Sequence, residues 1–361
     1  MMAACLGSGS SGSVAMVEQL ETHFKDGVTS LKTKMRAVKV GRFGDYELLA
    51  LQAGIKNIPR YISEAETDAG TAVTMQFAKI GDIKKSDLLK VAEGVSRAII
   101  DLNRKLKSDG KLKDGERIIH HDIKPANIGV TRGGKIKLLD WGSAKVVSKD
   151  IKTNPLAGAT ALYSPPEACS GSTPTEKNDS WALGATIFKY ATGRHLLKRE
   201  NLGSFILSLG AIQSEEILKS FKSASIYEIL ESVRESALEE FNENKRQFIA
   251  DPEIDTTTKS LVLKLLEINP EERLSLDEAL EMIDKSKALA PSIGNVTAAS
   301  KVTPMYTIFP PFASWTSAAA ETTAVEEELE HSIASSGSSY SEEIFEVETA
   351  DDCLVAEITT S

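Results

Sequence analysis

Cysteine is scarce in this chain of 361 residues, and Cys5, Cys169 and Cys353 lie far apart. They form no C-x-x-C pair and suggest no pairing, which argues against a disulfide framework and for a reducing compartment. No run of eighteen apolar residues is present, so no transmembrane helix is expected. The N-terminus lacks the basic-then-apolar pattern of a secretory signal, and a cytoplasmic location is the expectation. No internal repeat is evident. Positive charge is missing after Lys301: residues 302–361 hold twelve Asp or Glu and no Lys or Arg. Of the net charge of −10, the first 301 residues therefore carry +2. A nearly neutral body with an acidic tail argues against a nucleic-acid-binding protein. The hydrophobic share of 41% and the charged share of 26% are those of a globular chain.

What the chain does have is the stretch Ile118-Ile119-His120-His121-Asp122-Ile123-Lys124-Pro125-Ala126-Asn127. It sets a carboxylate, an ammonium and a carboxamide close together in one loop. Two short apolar runs, Ile128-Gly129-Val130 and Lys135-Ile136-Lys137-Leu138-Leu139, read as strand, turn and strand. They lead to a second carboxylate in Asp140-Trp141-Gly142. A His-His-Asp run by itself also fits a buried turn with a charged cap, so the flanking motifs decide its meaning.

Upstream, Leu6-Gly7-Ser8-Gly9-Ser10-Ser11-Gly12-Ser13-Val14 fits G-x-G-x-x-G-x-V. Glycine lets a backbone turn tightly and approach phosphate oxygens with no Cβ in the way. Taken alone, this run reads equally as a flexible linker, and the segment after it does not look like a dinucleotide-binding βαβ unit. Val14–Val17 and Met35–Val40 read as strands, with an insertion expected within 20–33. Tyr46–Gln52 is helical in pattern and Thr71–Phe77 is strand-like. Ser86 is expected to cap a helix carrying Leu88, Val91, Val95, Ala98, Ile99, Leu102 and Leu106 at helical spacing. A polar loop is expected over Lys107–Glu116.

Farther on come Ala159-Thr160-Ala161-Leu162-Tyr163-Ser164-Pro165-Pro166-Glu167 and Asp179-Ser180-Trp181-Ala182-Leu183-Gly184. The second opens a helix that is apolar nearly all round and is expected to be buried. Charged amphipathic helices are expected within 213–249, and a core stripe at Leu261, Val262, Leu265 and Leu266. Asn269-Pro270-Glu271-Glu272-Arg273 and a capping box, Ser275-Leu276-Asp277-Glu278, introduce a last helix through about Lys287.

In this order the motifs resemble the eukaryotic-type protein kinase family, whose catalytic loop reads H-R-D-x-K-x-x-N and whose metal loop reads D-F-G. The resemblance covers about residues 5–288. It implies a Ser/Thr protein kinase that uses ATP and Mg²⁺ and acts on a protein hydroxyl. Asp122 would orient and deprotonate that hydroxyl, Lys124 would steady the γ-phosphate, and Asn127 and Asp140 would bind Mg²⁺. Lys39 would meet the α- and β-phosphates, paired with Glu47. Gly7, Gly9, Gly12, Val14 and Ala37 are the implied ATP-binding positions of the small lobe. Met75 would be the gatekeeper, and backbone groups of Gln76, Phe77 and Ala78 would bond adenine. Thr160 would bond Asp122 and Lys124, Asp179 would anchor the catalytic-loop backbone, and Arg273 would pair with Glu167.

The chain departs from the family at His121 (usually Arg), Trp141 (usually Phe), Ala159 (usually Gly) and Pro165 (usually Ala). A neutral His121 implies a weaker need for activation-loop phosphorylation; Ser148, Thr153 and Ser164 are candidate phosphosites. The expected fold is α+β and two-lobed: a β-rich N-lobe over about 1–78 and a mostly helical C-lobe over about 79–288. Residues 289–361 are expected to form a disordered tail rich in Ser, Thr and Glu. Its aromatic patch, Met305–Phe312 with Trp315, reads as a segment that folds back onto the kinase lobes, as a partner-binding segment or as a linker, and its acidic runs read as solvating or interaction segments. The tail is also similar to acidic C-terminal signals of bacterial effectors exported into host cells. Two rival readings stand beside the kinase: a pseudokinase acting as a binding module, and a small-molecule phosphotransferase. Oligomeric state is not legible.

Overall fold

The computed structural model describes residues 3–9, 12–25, 28–81, 83–148, 158–169, 172–197 and 224–289. Everything below concerns the unit Met1–Pro291. The expectations for the tail from residue 290 on, for Thr153 and for the helical pattern over 213–223 lie outside the described residues.

Apolar and β-branched residues alternate with polar ones through the N-terminal third, and there they form a five-stranded antiparallel sheet. Its strands are β1 (Ala3–Gly9), β2 (Gly12–Lys25), β3 (Val28–Gly41), β4 (Tyr61–Thr67) and β5 (Gly70–Gln76), in the order β1-β2-β3-β5-β4. Register decides which side chains share a face. Val14 lies opposite Lys39, Lys39 opposite Val73, and Ala37 opposite Met75. Val14, Ala37, Lys39 and Met75 therefore stand on one face. Gly12 has φ +137°, and a Cβ there would lie 2.2 Å from the Val40 carbonyl oxygen, so only glycine fits.

The insertion expected within 20–33 is no separate loop. β2 and β3 pair without a break from Gly12↔Gly41 to Lys25↔Val28, so the extra residues lengthen the hairpin. Strand β4 had no sequence signal strong enough to register. Beyond Ile62 its residues are exposed, so the apolar alternation that marks half-buried strands is missing. Between β3 and β4, Glu47–Gln52 forms the short helix α1, with Ala50 and Leu51 buried.

The larger lobe begins after β6 (Lys79–Ile80) with α2 (Leu88–Ser108). Every residue of the expected α2 stripe is buried, from Leu88 to Leu106. Ser86 does not cap it. Lys85–Asp87 forms a 3-10 turn, Asp87 occupies the cap position, and no side chain bonds the first turn. The polar loop starts at Asp109, because α2 runs on to Ser108.

Next come β7 (Arg117–Ile119), β8 (Ile128–Val130), β9 (Ile136–Leu138), β10 (Lys145–Val147) and the short helix α3 (Pro166–Cys169). Helix α4 (Glu176–Thr192) buries twelve of its residues, as its all-round apolarity implies. Thr175 and Asn178 close a reciprocal capping box at its start. The last three helices are α5 (Ala224–Ala250), α6 (Thr256–Leu265) and α7 (Leu276–Leu289). Ser275 and Glu278 make the expected capping box for α7. Helices α2, α4, α6 and α7 enclose the core, where Trp181 stacks on Phe241 with centroids 5.9 Å apart and Phe188 meets Phe248 at 5.7 Å. Among the described residues no helix is long and apolar enough to cross a membrane.

Candidate active site

The charged residues of the site form two clusters. The first is built on β3 and α1. Lys39 points from the sheet, and its Nζ donates to Glu47 Oε1 at 2.6 Å and to Asp140 Oδ1 at 3.1 Å. Lys39 is 4% exposed and Glu47 2%, so neither has water to fall back on. Burial pushes the Lys39 pKa down, but Asp140 and Glu47 together outweigh it and hold the pKa above its ordinary value. Burial also pushes the Glu47 carboxyl up, and Lys39 only partly offsets this. Glu47 Oε2 has no hydrogen-bond partner. The Phe43 ring lies 5.4 Å from the Lys39 ammonium, a contact with no motif to announce it.

Asp140 differs from its neighbours in having a half-open side chain, 48% exposed. Burial acts to raise its pKa, but Lys39 beside it wins, and the carboxyl sits below its usual range. Asp140 adopts φ +51°, a left-handed backbone rare for a non-glycine residue. The following Gly142 packs against this group. A Cβ there would come within 3.3 Å of Asp140 Oδ1 and 3.4 Å of Glu47 Oε2.

The second cluster comes from the loop between β7 and β8. Every oxygen of the Asp122 carboxylate is engaged. Thr160 Oγ1 donates to Oδ1 at 2.6 Å, Asn127 Nδ2 donates to Oδ2 at 3.0 Å, and Lys124 Nζ lies 2.9 Å from Oδ2. Lys124 Nζ also donates to Thr160 Oγ1 at 2.9 Å, closing a ring of three side chains. Asn127 Nδ2 donates a further bond to the Asp122 carbonyl at 2.8 Å. Both bonds use the amide nitrogen, which leaves Oδ1 of Asn127 as its free end.

Buried groups hold this loop from below. Asp179 accepts from the backbone N–H of His120 at 2.7 Å and of His121 at 2.9 Å. Its own pKa is raised by burial, against the pull of those donors. The His120 ring bridges the two carboxylate loops: Nε2 donates to the Leu139 carbonyl at 2.8 Å, and Nδ1 accepts from the Asp122 N–H at 3.3 Å. Its edge meets Trp141, with centroids 4.8 Å apart. His121 has φ +68°, and burial, then Lys145, pushes its pKa down to about 4. It is thus neutral at pH 7, as an uncharged replacement for Arg implies.

Farther out, Arg273 grips Glu167 with two bonds, Nη1 to Oε1 at 2.5 Å and Nη2 to Oε2 at 2.9 Å. The carbonyls of Glu267, Lys177 and Ile268 take its other N–H groups, and the Trp181 ring lies 5.0 Å away.

The remaining expected positions are set by the sheet. Gly7 pairs with Val14 and Gly9 with Gly12, while Ser10 and Ser11 between them lie outside the described residues. Met75 is half-buried near the end of β5. Gln76 donates its N–H to the Arg60 carbonyl at 2.8 Å, and Phe77 and Ala78 connect β5 to β6. Three further contacts were not anticipated. Besides Phe43, these are the His120 bridge and the latch made by Lys137, which is buried and donates to the carbonyls of Lys56 and Ile58 at 2.7 and 2.9 Å. A lysine in a short strand that follows directly on Lys135 gives no sign that it points inward.

The protein kinase domain family matches residues 2–283. The chain belongs to the protein kinase family. Mouse serine/threonine-protein kinase Nek1 is 26% identical over 213 residues, 56% of this chain and 17% of that protein. Cyclin-dependent kinase 4 of Xenopus laevis is 29% identical over 227 residues, 60% of this chain and 66% of that protein. The dual specificity mitogen-activated protein kinase kinase dSOR1 of Drosophila melanogaster is 26% identical over 234 residues, 63% and 58% of the two chains. This chain thus spans less than two thirds of the length of each of these relatives. The two-lobed kinase architecture and the succession of kinase motifs follow from family membership.

Proposed function

We propose that this kinase-family chain is an active Ser/Thr protein kinase that transfers the ATP γ-phosphoryl group to a protein hydroxyl. The observation that carries this reading is the closed ring of Asp122, Lys124 and Thr160, with Asn127 bonded to the same carboxylate. In such a ring the Asp122 carboxylate is held in one orientation, ready to accept a hydroxyl proton, and Lys124 stands beside it to meet developing charge on the phosphoryl oxygens. Lys39, held by Glu47, is the cation for the α- and β-phosphates. The face shared by Val14, Ala37 and Met75 would receive the adenine, with the backbone of Gln76–Ala78 along its edge.

The donor chemistry suits Mg²⁺. Asp140 offers a half-exposed carboxylate with a depressed pKa, and Asn127 offers an uncommitted amide oxygen. Among the described residues no cluster of three or more His, Cys, Asp or Glu could hold a metal. That agrees with an ion held by one carboxylate, one amide and the nucleotide's own phosphates. Once bound, Mg²⁺ would neutralise charge on the phosphate oxygens.

Presence of both clusters favours activity over the pseudokinase alternative, and the Thr160–Glu167 segment secured by Arg273 favours protein over small-molecule substrates. The test is transfer of labelled γ-phosphate from Mg·ATP to a peptide library containing Ser, Thr and Tyr. Label on Ser and Thr is expected. ATP binding without transfer, or transfer to small alcohols alone, would contradict the reading. Since His121 is neutral, phosphatase treatment of the purified chain is expected to leave the transfer rate within about twofold.

A further inference from the structure

Hairpin β2–β3 outruns the sheet that carries it. β5 pairs with β3 only from Arg36 to Gly41. From Val28 to Met35, β3 has β2 on one side and, among the described residues, no strand on the other. Open backbone edges of this kind are templates for strand addition. Thr33, Lys34 and Met35 form a wall of a groove of about 920 Å³, completed by the β5–β6 connection and the β8–β9 turn. No residue of the two charged clusters lines it; Gln76 and Phe77, proposed above to bond adenine through their backbone, are its border with the nucleotide site.

Its charge is one-sided. Lys34, Arg36, Lys79, Lys90, Arg132 and Lys135 line it, against a single carboxylate, Asp87. Glu21 pairs with Lys34 and Arg36, and Lys90 lies 4.0 Å from Asp87. Lys79, Arg132 and Lys135 form no ion pair with a described residue. The field of this group reaches the buried Lys137, whose pKa burial, then Lys135 and Arg60, push down to about 8.

Apolar side chains lie between the cations: Met35, Phe77, Ile83, Val130 and Ile136. The period of two carries the apolar side onward along β3 from Met35 through Thr33 to Leu31, which is 68% exposed. Leu20, paired with Thr33 across the hairpin, is 67% exposed.

We propose that this groove docks an acidic, extended segment of a protein partner, which adds as a strand along the Leu31–Met35 edge of β3. The edge supplies main-chain hydrogen bonds, the cations meet carboxylates, and the apolar sites between them take alternate side chains. A free polyphosphate would use only the cations, and these come from four elements: β3, β6, α2 and the β8–β9 connection.

The test is fluorescence anisotropy of the full chain with a labelled peptide in which glutamate alternates with valine. Binding is expected. It should weaken at least about tenfold in the variant Lys79→Glu, Arg132→Glu, Lys135→Glu, whose three changes fall on exposed side chains. N-methylating alternate backbone amides of the peptide should weaken binding to the unaltered chain by at least as much, a result that needs no protein variant. Failure to bind, or equal binding by the triple variant, would overturn the proposal. So would equal binding of the N-methylated peptide together with full displacement by tripolyphosphate, which would mark a simple anion site. Self-association abolished by the triple variant, with no peptide bound, would assign the groove to a second copy of this chain.

Discussion

Thr160 holds together the ring proposed to carry catalysis, because its single hydroxyl both donates to Asp122 and accepts from Lys124. Thr160→Ala should lower kcat about tenfold to a hundredfold, from the loss of a hydrogen bond to a charged group, with KM for ATP little changed. Thr160→Ser should restore most of the rate; steady-state kinetics on the two variants tests this. His121 makes a prediction about pH. The unfolded chain protonates this imidazole near 6.5, whereas the folded chain resists down to about 4. Over that window the unfolded state binds the extra proton, so stability is lost as pH falls from 6.5 to 4. The loss amounts to about 3 kcal/mol in all. In His121→Asn, which tolerates the left-handed backbone, urea midpoints should fall less steeply across that window. At this scale the sequence was most legible where spacing within one loop decides proximity, as for Asp122, Lys124 and Asn127. It was silent where no motif marks a contact, as between Lys137 and the carbonyls of Lys56 and Ile58 far back in the chain.

Elements were legible in proportion to their burial. The α2 stripe and the all-round apolarity of α4 follow from a water-excluding core, and each left a periodic pattern. Exposed β4 left none, and the long β2–β3 hairpin was read as an insertion because its outer residues do not alternate toward a core. Ser86 misled because a serine before an apolar stripe looks like a cap, while the chain enters α2 through a 3-10 turn. Two element contacts can be tested directly. Gly94 brings α2 against β9 so closely that a Cβ there would lie 2.6 Å from Ile136 Cβ. Gly94→Ala should cost about 1–3 kcal/mol in chemical denaturation, and Ile136→Ala should recover little of it, because alanine keeps the clashing Cβ. The Arg273–Glu167 pair ties the loop before α7 to α3. Arg273→Met strands a buried carboxylate and should cost about 3–5 kcal/mol, whereas the double change with Glu167→Met should cost less than the two separately.

At the scale of the whole molecule, a sheet carrying Lys39 and a helical lobe carrying Asp122 and Asp140 meet through a few bonds. The 3.1 Å contact between Lys39 and Asp140 and the bonds of Lys137 to the carbonyls of Lys56 and Ile58 are the central ones. Both lobes were legible as a succession of motifs, but their junction was not, because its contacts run between backbone carbonyls and residues far apart in the chain. The central claim is that this junction performs phosphoryl transfer with Asp122 as the proton acceptor. The most direct measurement is the single-turnover rate of γ-phosphoryl transfer from Mg·ATP to a Ser/Thr peptide, for the unaltered chain and for Asp122→Asn, with ATP affinity measured on both. A rate lowered by about 10²–10⁴-fold at unchanged ATP affinity is the predicted result. An unchanged rate in Asp122→Asn, or no transfer by the unaltered chain while it binds ATP, would contradict it.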